Sequence, residues 1–194
     1  MTADEALLER VRAADVVHGP SITDAATTSH EDLSWYRRFR LLEILLRLPH
    51  KPIVIRYADD GQEIVLLGSS YAIYGVNARE GLRLGAEHVS RYLRFFFANS
   101  EMARTQIVES PDEPMWLRHA SEEPEMAQLK QVAQSLIRPM QVVPAGEGGY
   151  RVIITAIQDR RLLNMVLDVR ADGRVSELSR SVLLENIPVP YLGI

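Results

Sequence analysis

The sequence contains no cysteine. That absence removes a disulfide framework, a thiolate nucleophile and any Cys-ligated metal from consideration. A long apolar run is also missing. The densest stretch, Leu41 to Leu48, is interrupted by Glu43 and Arg47 and is too short to span a bilayer. Basic excess is lacking as well: 22 Lys and Arg face 26 Asp and Glu, for a net charge of −4. This gives no electrostatic case for nucleic-acid binding, which normally shows a basic surplus or stripe. The first residues, MTADEALLERVRAAD, carry early acids and have neither a basic leader nor an apolar h-region, so they do not read as a secretory signal. A cytoplasmic protein is expected, and sparing cysteine use fits a bacterial one.

Signature motifs are equally scarce. The five histidines, at positions 18, 30, 50, 88 and 119, show neither H-x-H nor H-x-x-x-H spacing, so no metal is predicted. Gly68 to Gly75, GSSYAIYG, is neither a G-x-S-x-G nucleophile elbow nor a phosphate loop ending in Gly-Lys. Gly146 to Gly149 lies between two strand-like runs, which makes it a hairpin connection and not a dinucleotide fingerprint. No cofactor follows from any of these.

What is present is an ordinary globular mixture over 194 residues, 46% apolar and 25% charged. The clearest signal is Tyr150 to Ile187. Three apolar runs are separated by turns at Gln158-Asp159-Arg160 and Ala171-Asp172-Gly173. Leu163, Met165, Leu167 and Val169 alternate with Leu162, Asn164, Val166 and Asp168, so one face is apolar and the other mixed. We read this as a C-terminal β-meander. Pro52 to Leu67 reads as a hairpin around Asp60-Gly61, with Asp59 and Asp60 as exposed turn-formers. Tyr71 to Val76 reads as a further strand.

Three helices are expected to pack the sheet. Over residues 29–48, Ser29 supplies a cap, Glu31 and Asp32 an acidic first turn, and Trp35, Phe39, Leu42 and Leu46 a helical stripe. Residues 86–99 place Val89, Tyr92, Leu93 and Phe96 on one face. Phe95, well away from Phe97, should then meet another element or a partner. Residues 122–137 accept Pro124 in the first turn. Residues 1–28 form an N-terminal arm, a short helix and a Gly-Pro-led linker, before one domain over 29–194. The fold class is therefore α+β: a mainly antiparallel sheet with a C-terminal meander packed by three helices.

Residues 81–110, LRLGAEHVSRYLRFFFANS followed by QIVES, resemble a segment of uncharacterised bacterial proteins. The resemblance implies no activity and transfers no site residue.

Two functional readings follow. No catalytic constellation is visible, which favours a non-enzymatic binding or protein-interaction module, a homodimer or a partner of another protein, with Trp35, Tyr36 and Phe95 as interface candidates. The alternative is a small-molecule binder or enzyme with a cavity under the C-terminal sheet. A cone-shaped sheet wrapped by helices, as in nuclear transport factor 2-like or cystatin-like folds, would turn Asn164, Asp168 and Glu177 into such a cavity with Tyr150, Trp116 and His119. That analogy is one of fold and not of function.

Overall fold

The computed structural model of the chain describes residues 3–48 and 50–190. It is an α+β fold with two mainly antiparallel sheets, and the chain divides into two compact units after Leu82.

In the first unit the order is α1 (Ala3–Ala14), β1 (Thr27–Asp32), β2 (Arg40–Leu46), β3 (Ile53–Asp59), β4 (Ile64–Leu66) and α2 (Ser70–Glu80). The four strands form an antiparallel sheet in sequence order. Leu42, Ile44 and Leu46 of β2 lie beside Tyr57, Ile55 and Ile53 of β3 on one face. Leu7, Leu8 and Val11 of α1 join that face, with Ile22, to make one buried cluster. The expected arm thus contributes a helix to the core of this unit.

The helix expected over 29–48 is instead two strands joined by residues 33–39. The physical reason lies in β2. A strand with apolar residues on both faces loses its period of two: Leu41 is buried on the face opposite Leu42, and Leu45 is half-buried there. The leucines then imitate helical spacing, an ambiguity inherent to short apolar runs. The residues read as a helix cap and acidic first turn, Ser29, Glu31 and Asp32, are the exposed side chains of a polar edge strand.

The strand expected at Tyr71–Val76 is α2. The hydroxyl of Ser69 caps it by accepting the Ala72 N–H at 3.2 Å, and Gly81 ends it in the left-handed region at φ 61°. Both punctuation marks are in the sequence. The β-prone string YAIYGV between them masks them. The hairpin over Pro52–Leu67 forms as expected, with Gly61 at φ 88° in its turn. Asp59, however, is buried, not an exposed turn residue.

The second unit holds α3 (Ala86–Asn99), β5 (Thr105–Val108), α4 (Pro124–Leu136), β6 (Gln141–Pro144), β7 (Tyr150–Gln158), β8 (Arg161–Val169) and β9 (Val175–Leu184). β7, β8 and β9 are the expected meander. β5 and β6 share the other edge of β7: β5 pairs its C-terminal half and β6 its N-terminal half. Asp159 and Arg160 both have positive φ, which gives the two-residue turn its match to strand twist. On one face Val152, Ile154, Ala156, Leu163, Met165, Leu167 and Val169 are all fully buried. On the other, Ile157 and Leu162 pack with Ala133, Ile137, Val108, Ile187 and Val189 in the cluster that α4 covers. Phe95, Phe96 and Phe97 of α3 are all buried, so three consecutive positions of that helix are covered.

Candidate functional site

The six residues proposed to line a cavity lie in four different places. Asn164 and Asp168 point to the mixed face of β8, opposite Thr155 and Arg151 of β7 in register, and both are half-buried. Tyr150 sits on the other face, paired with Val169, and its hydroxyl donates to the Leu84 carbonyl at 3.2 Å. Glu177 is also on that other face. The β8–β9 ladder slips by one residue, so that Val166 pairs with Ser179 but Leu167 pairs with Glu177. Counted from the turn, Val175 and Glu177 pair in register with Val169 and Leu167, so Glu177 lies on their face and not on that of Asp168; the slip comes beyond it. The carboxylate of Glu177 is held by Arg180 through contacts of 2.7, 3.0 and 3.2 Å. Trp116 packs against the cluster under α4, donates its indole N–H to the Pro111 carbonyl at 3.1 Å, and lies under the Lys130 ammonium. His119 is exposed in a short turn, Arg118–Ser121. A sheet therefore stands between Asn164 and Asp168 on one side and Tyr150 and Glu177 on the other.

The interface candidates fare similarly. Tyr36 is buried and donates its hydroxyl to Asn77, and Trp35 is half-buried, edge-on to Tyr36. Phe95 is 7% exposed and stacks at a tilt on Tyr92. Buried rings serve the chain's own core and leave a partner little area to cover.

Sequence reasoning missed a set of buried carboxylates in the first unit. Asp15, at the end of α1, accepts the N–H groups of Val17 and His18 on one oxygen and the Tyr57 hydroxyl (2.8 Å) and His18 Nδ1 (2.9 Å) on the other. Burial alone would raise its pKa, but these donors outweigh the penalty and hold it below the usual carboxylate range. The same contact, with burial the larger cause, pushes Tyr57 well above an ordinary phenol. Asp59 takes Arg10 at 2.8 Å and the Gly61 N–H at 3.0 Å, with His30 Nε2 at 3.4 Å. Glu80, at the end of α2, accepts the backbone N–H groups of Arg37, Arg38 and Phe39. Its pKa is lowered because those three donors exceed the cost of burial. Asp15 orients the His18 ring as a catalytic carboxylate would, but among the described residues no hydroxyl nucleophile is hydrogen-bonded to His18. The carboxylates pin loops.

In the second unit two surface features stand out. One is β9. Every residue from Ser176 to Val182 is exposed, with Leu178 at 50% and Val182 at 46%. Among the described residues only one edge of this ten-residue strand is paired. The other is an open groove of about 460 Å³ between the end of α3 and β5. At its mouth Arg94 donates to the Ile107 carbonyl and joins Glu109 and Glu113. Burial favours the uncharged guanidine, yet the two carboxylates raise the Arg94 pKa further. Glu109, penalised by burial, is lowered by Arg94 and by the Met140 N–H.

Among the described residues no group of three or more His, Asp or Glu converges as a metal site would require. Nor is any described helix long and apolar enough to cross a membrane. No family model matches the sequence, and no curated protein and no solved structure matches it.

Proposed function

We propose that this chain is a non-enzymatic interaction module, and that β9 is the surface through which a second copy binds. The observation that carries the reading is the exposure of Ser176 to Val182, seven residues of a ten-residue edge strand, on both faces, with two half-exposed apolar side chains. Natural edges are blunted by shortness, proline or lysine, and β9 has none of these. Its remaining guards are the register slips and a charged pair, Glu177 and Arg180.

Those guards select a partner. Antiparallel pairing of β9 with itself about a two-fold axis places Val175 opposite Val182, Ser176 opposite Ser181, and Glu177 opposite Arg180 of the second copy. Cross-strand neighbours share a face. Residues three apart on an unbroken strand do not. The slip at Leu178 supplies the correction: Glu177 and Arg180 pair with Leu167 and Met165, which lie on one face of β8. The strand is thus complementary to itself in charge and in pleat, the requirement of an isologous interface.

Light scattering at micromolar concentration tests the reading. A dimer is expected. Arg180→Glu would set four carboxylates together and weaken it by about tenfold or more. The double variant Glu177→Arg/Arg180→Glu restores the complement and the dimer. A wild-type monomer, or a dimer indifferent to the single charge reversal, would overturn the proposal.

A further inference from the structure

The end of the β2–β3 hairpin is a surface of the first unit, independent of β9. Its ladder closes on Leu46 opposite Ile53. From 47 to 54 every described residue is exposed, and three of them are large and apolar: Leu48 at 46%, Ile53 at 44% and Val54 at 47%. Ile55, the next residue, is buried, so the exposure belongs to the tip. Consecutive strand residues point to opposite faces, so Ile53 and Val54 put apolar surface on both sides of the ribbon. The same tip is cationic, although the chain as a whole carries a net charge of −4. No acid lies between Glu43 and Asp59. Glu43 is held by Arg56 at 2.7 Å, whereas Arg47 and Lys51 make no ion pair among the described residues.

We infer that this tip docks the protein reversibly on an anionic lipid surface. Leu48, Ile53 and Val54 enter the headgroup region, and Arg47 and Lys51 meet its negative charge. Apolar side chains and cations on one short segment ask for different surroundings, and the boundary of an anionic lipid layer supplies both, acyl chains below and charged headgroups above. The shape argues in the same direction. A rigid protein face would cover one side of a ribbon that is apolar on both and leave the other wet, whereas a fluid layer closes round it. Two cations and three side chains make a weak attachment and not a permanent anchor.

The full chain is sedimented with vesicles of equal parts phosphatidylserine and phosphatidylcholine, and with vesicles of phosphatidylcholine alone. Binding is expected to the first and to fade as salt is added. Arg47→Gln/Lys51→Gln should weaken it by more than about tenfold. Leu48→Ser, which keeps both charges, should weaken it by about fivefold. All three residues are exposed, so the variants leave the core intact. Insertion is read separately. The chain has no cysteine, so Leu48→Cys takes a single environment-sensitive fluorophore. Its emission should shift to the blue on the anionic vesicles. The same label on Gln62→Cys, in the β3–β4 turn at the opposite end of β3, should stay in water. Absence of binding, equal binding to both vesicles, or a Gln62→Cys label that responds as strongly would each overturn the inference. So would charge-dependent binding that leaves the Leu48→Cys label in water, which would point to an acidic protein as the partner instead.

Discussion

The two units solve the same problem, covering an antiparallel sheet, with different materials. The first uses carboxylates as fasteners. Asp15, Asp59 and Glu80 are buried or nearly so, and each holds backbone or side-chain donors from a distant segment. The second relies on a clean apolar alternation, with seven fully buried side chains on one face of β7 and β8. Its ionic network, Arg94 with Glu109 and Glu113, is partly exposed. A buried carboxylate holding several donors is costly to disturb, because its removal strands every donor at once. A partly exposed network is screened and matters less. Cohesion in the first unit is therefore a matter of a few polar points, and in the second of area.

The largest effect should come from breaking the apolar side of this contrast. Met165 is fully buried at the centre of β8, so Met165→Ala should cost about 3 kcal/mol in urea unfolding. Hydrogen exchange should show the loss concentrated in β7 and β8. A smaller but sharper effect is expected from Asp15→Asn, which keeps the shape and gives up the charge. The Tyr57 hydroxyl and His18 ring lose a charged acceptor, at a cost of about 2 kcal/mol. Here the lost protection should fall on α1 and β3 and spare the meander. Equal losses in both units would erase the distinction.

Acid gives the mildest test. Asp15, Asp60 and Glu80 in the first unit have folded pKa values below their unfolded ones. For Asp15 and Glu80, donors outweigh burial; for Asp60, the N–H of Glu63 is the main cause. The unfolded chain therefore takes up protons first as pH falls. The stabilisation is complete above the ordinary carboxylate range near pH 4 and is lost as pH drops through the lower folded values. In the second unit Glu109 alone is lowered among these groups. Exchange protection in β1–β3 should fall before protection in β7–β8 on acidification below about pH 4. The reverse order would show that the carboxylates are not what holds the first sheet.

The same contrast explains what the sequence disclosed. The meander was legible because only one of its faces is completely apolar, so Leu163, Met165, Leu167 and Val169 keep their period. β2 was not, because Leu41 and Leu45 fill the second face and blur Leu42, Ile44 and Leu46 into a helical pattern. The fasteners' distant partners left no local trace. Asp15 meets Tyr57 across 42 positions, and Glu80 meets Arg37 across 43. The grouping of Glu177 with Asn164 and Asp168 rests on polarity alone; its face follows from the pairing Leu167 to Glu177 across the turn, which composition does not show. The groove was invisible too, since Arg94 meets Ile107, Glu109 and Glu113 only when α3 lies beside β5.

One asymmetry of the second sheet sets how far any association can proceed. β5 and β6, which close its far side, are four residues each; Arg94 occupies the outward Ile107 carbonyl, Glu109 takes the Met140 amide, and β6 ends on Pro144. A sheet open along both margins can add copies without limit and grow into a filament. A sheet sealed along one margin and open along β9 has used up its valence after a single addition. Under the proposal that β9 binds a second copy, association ends at a pair.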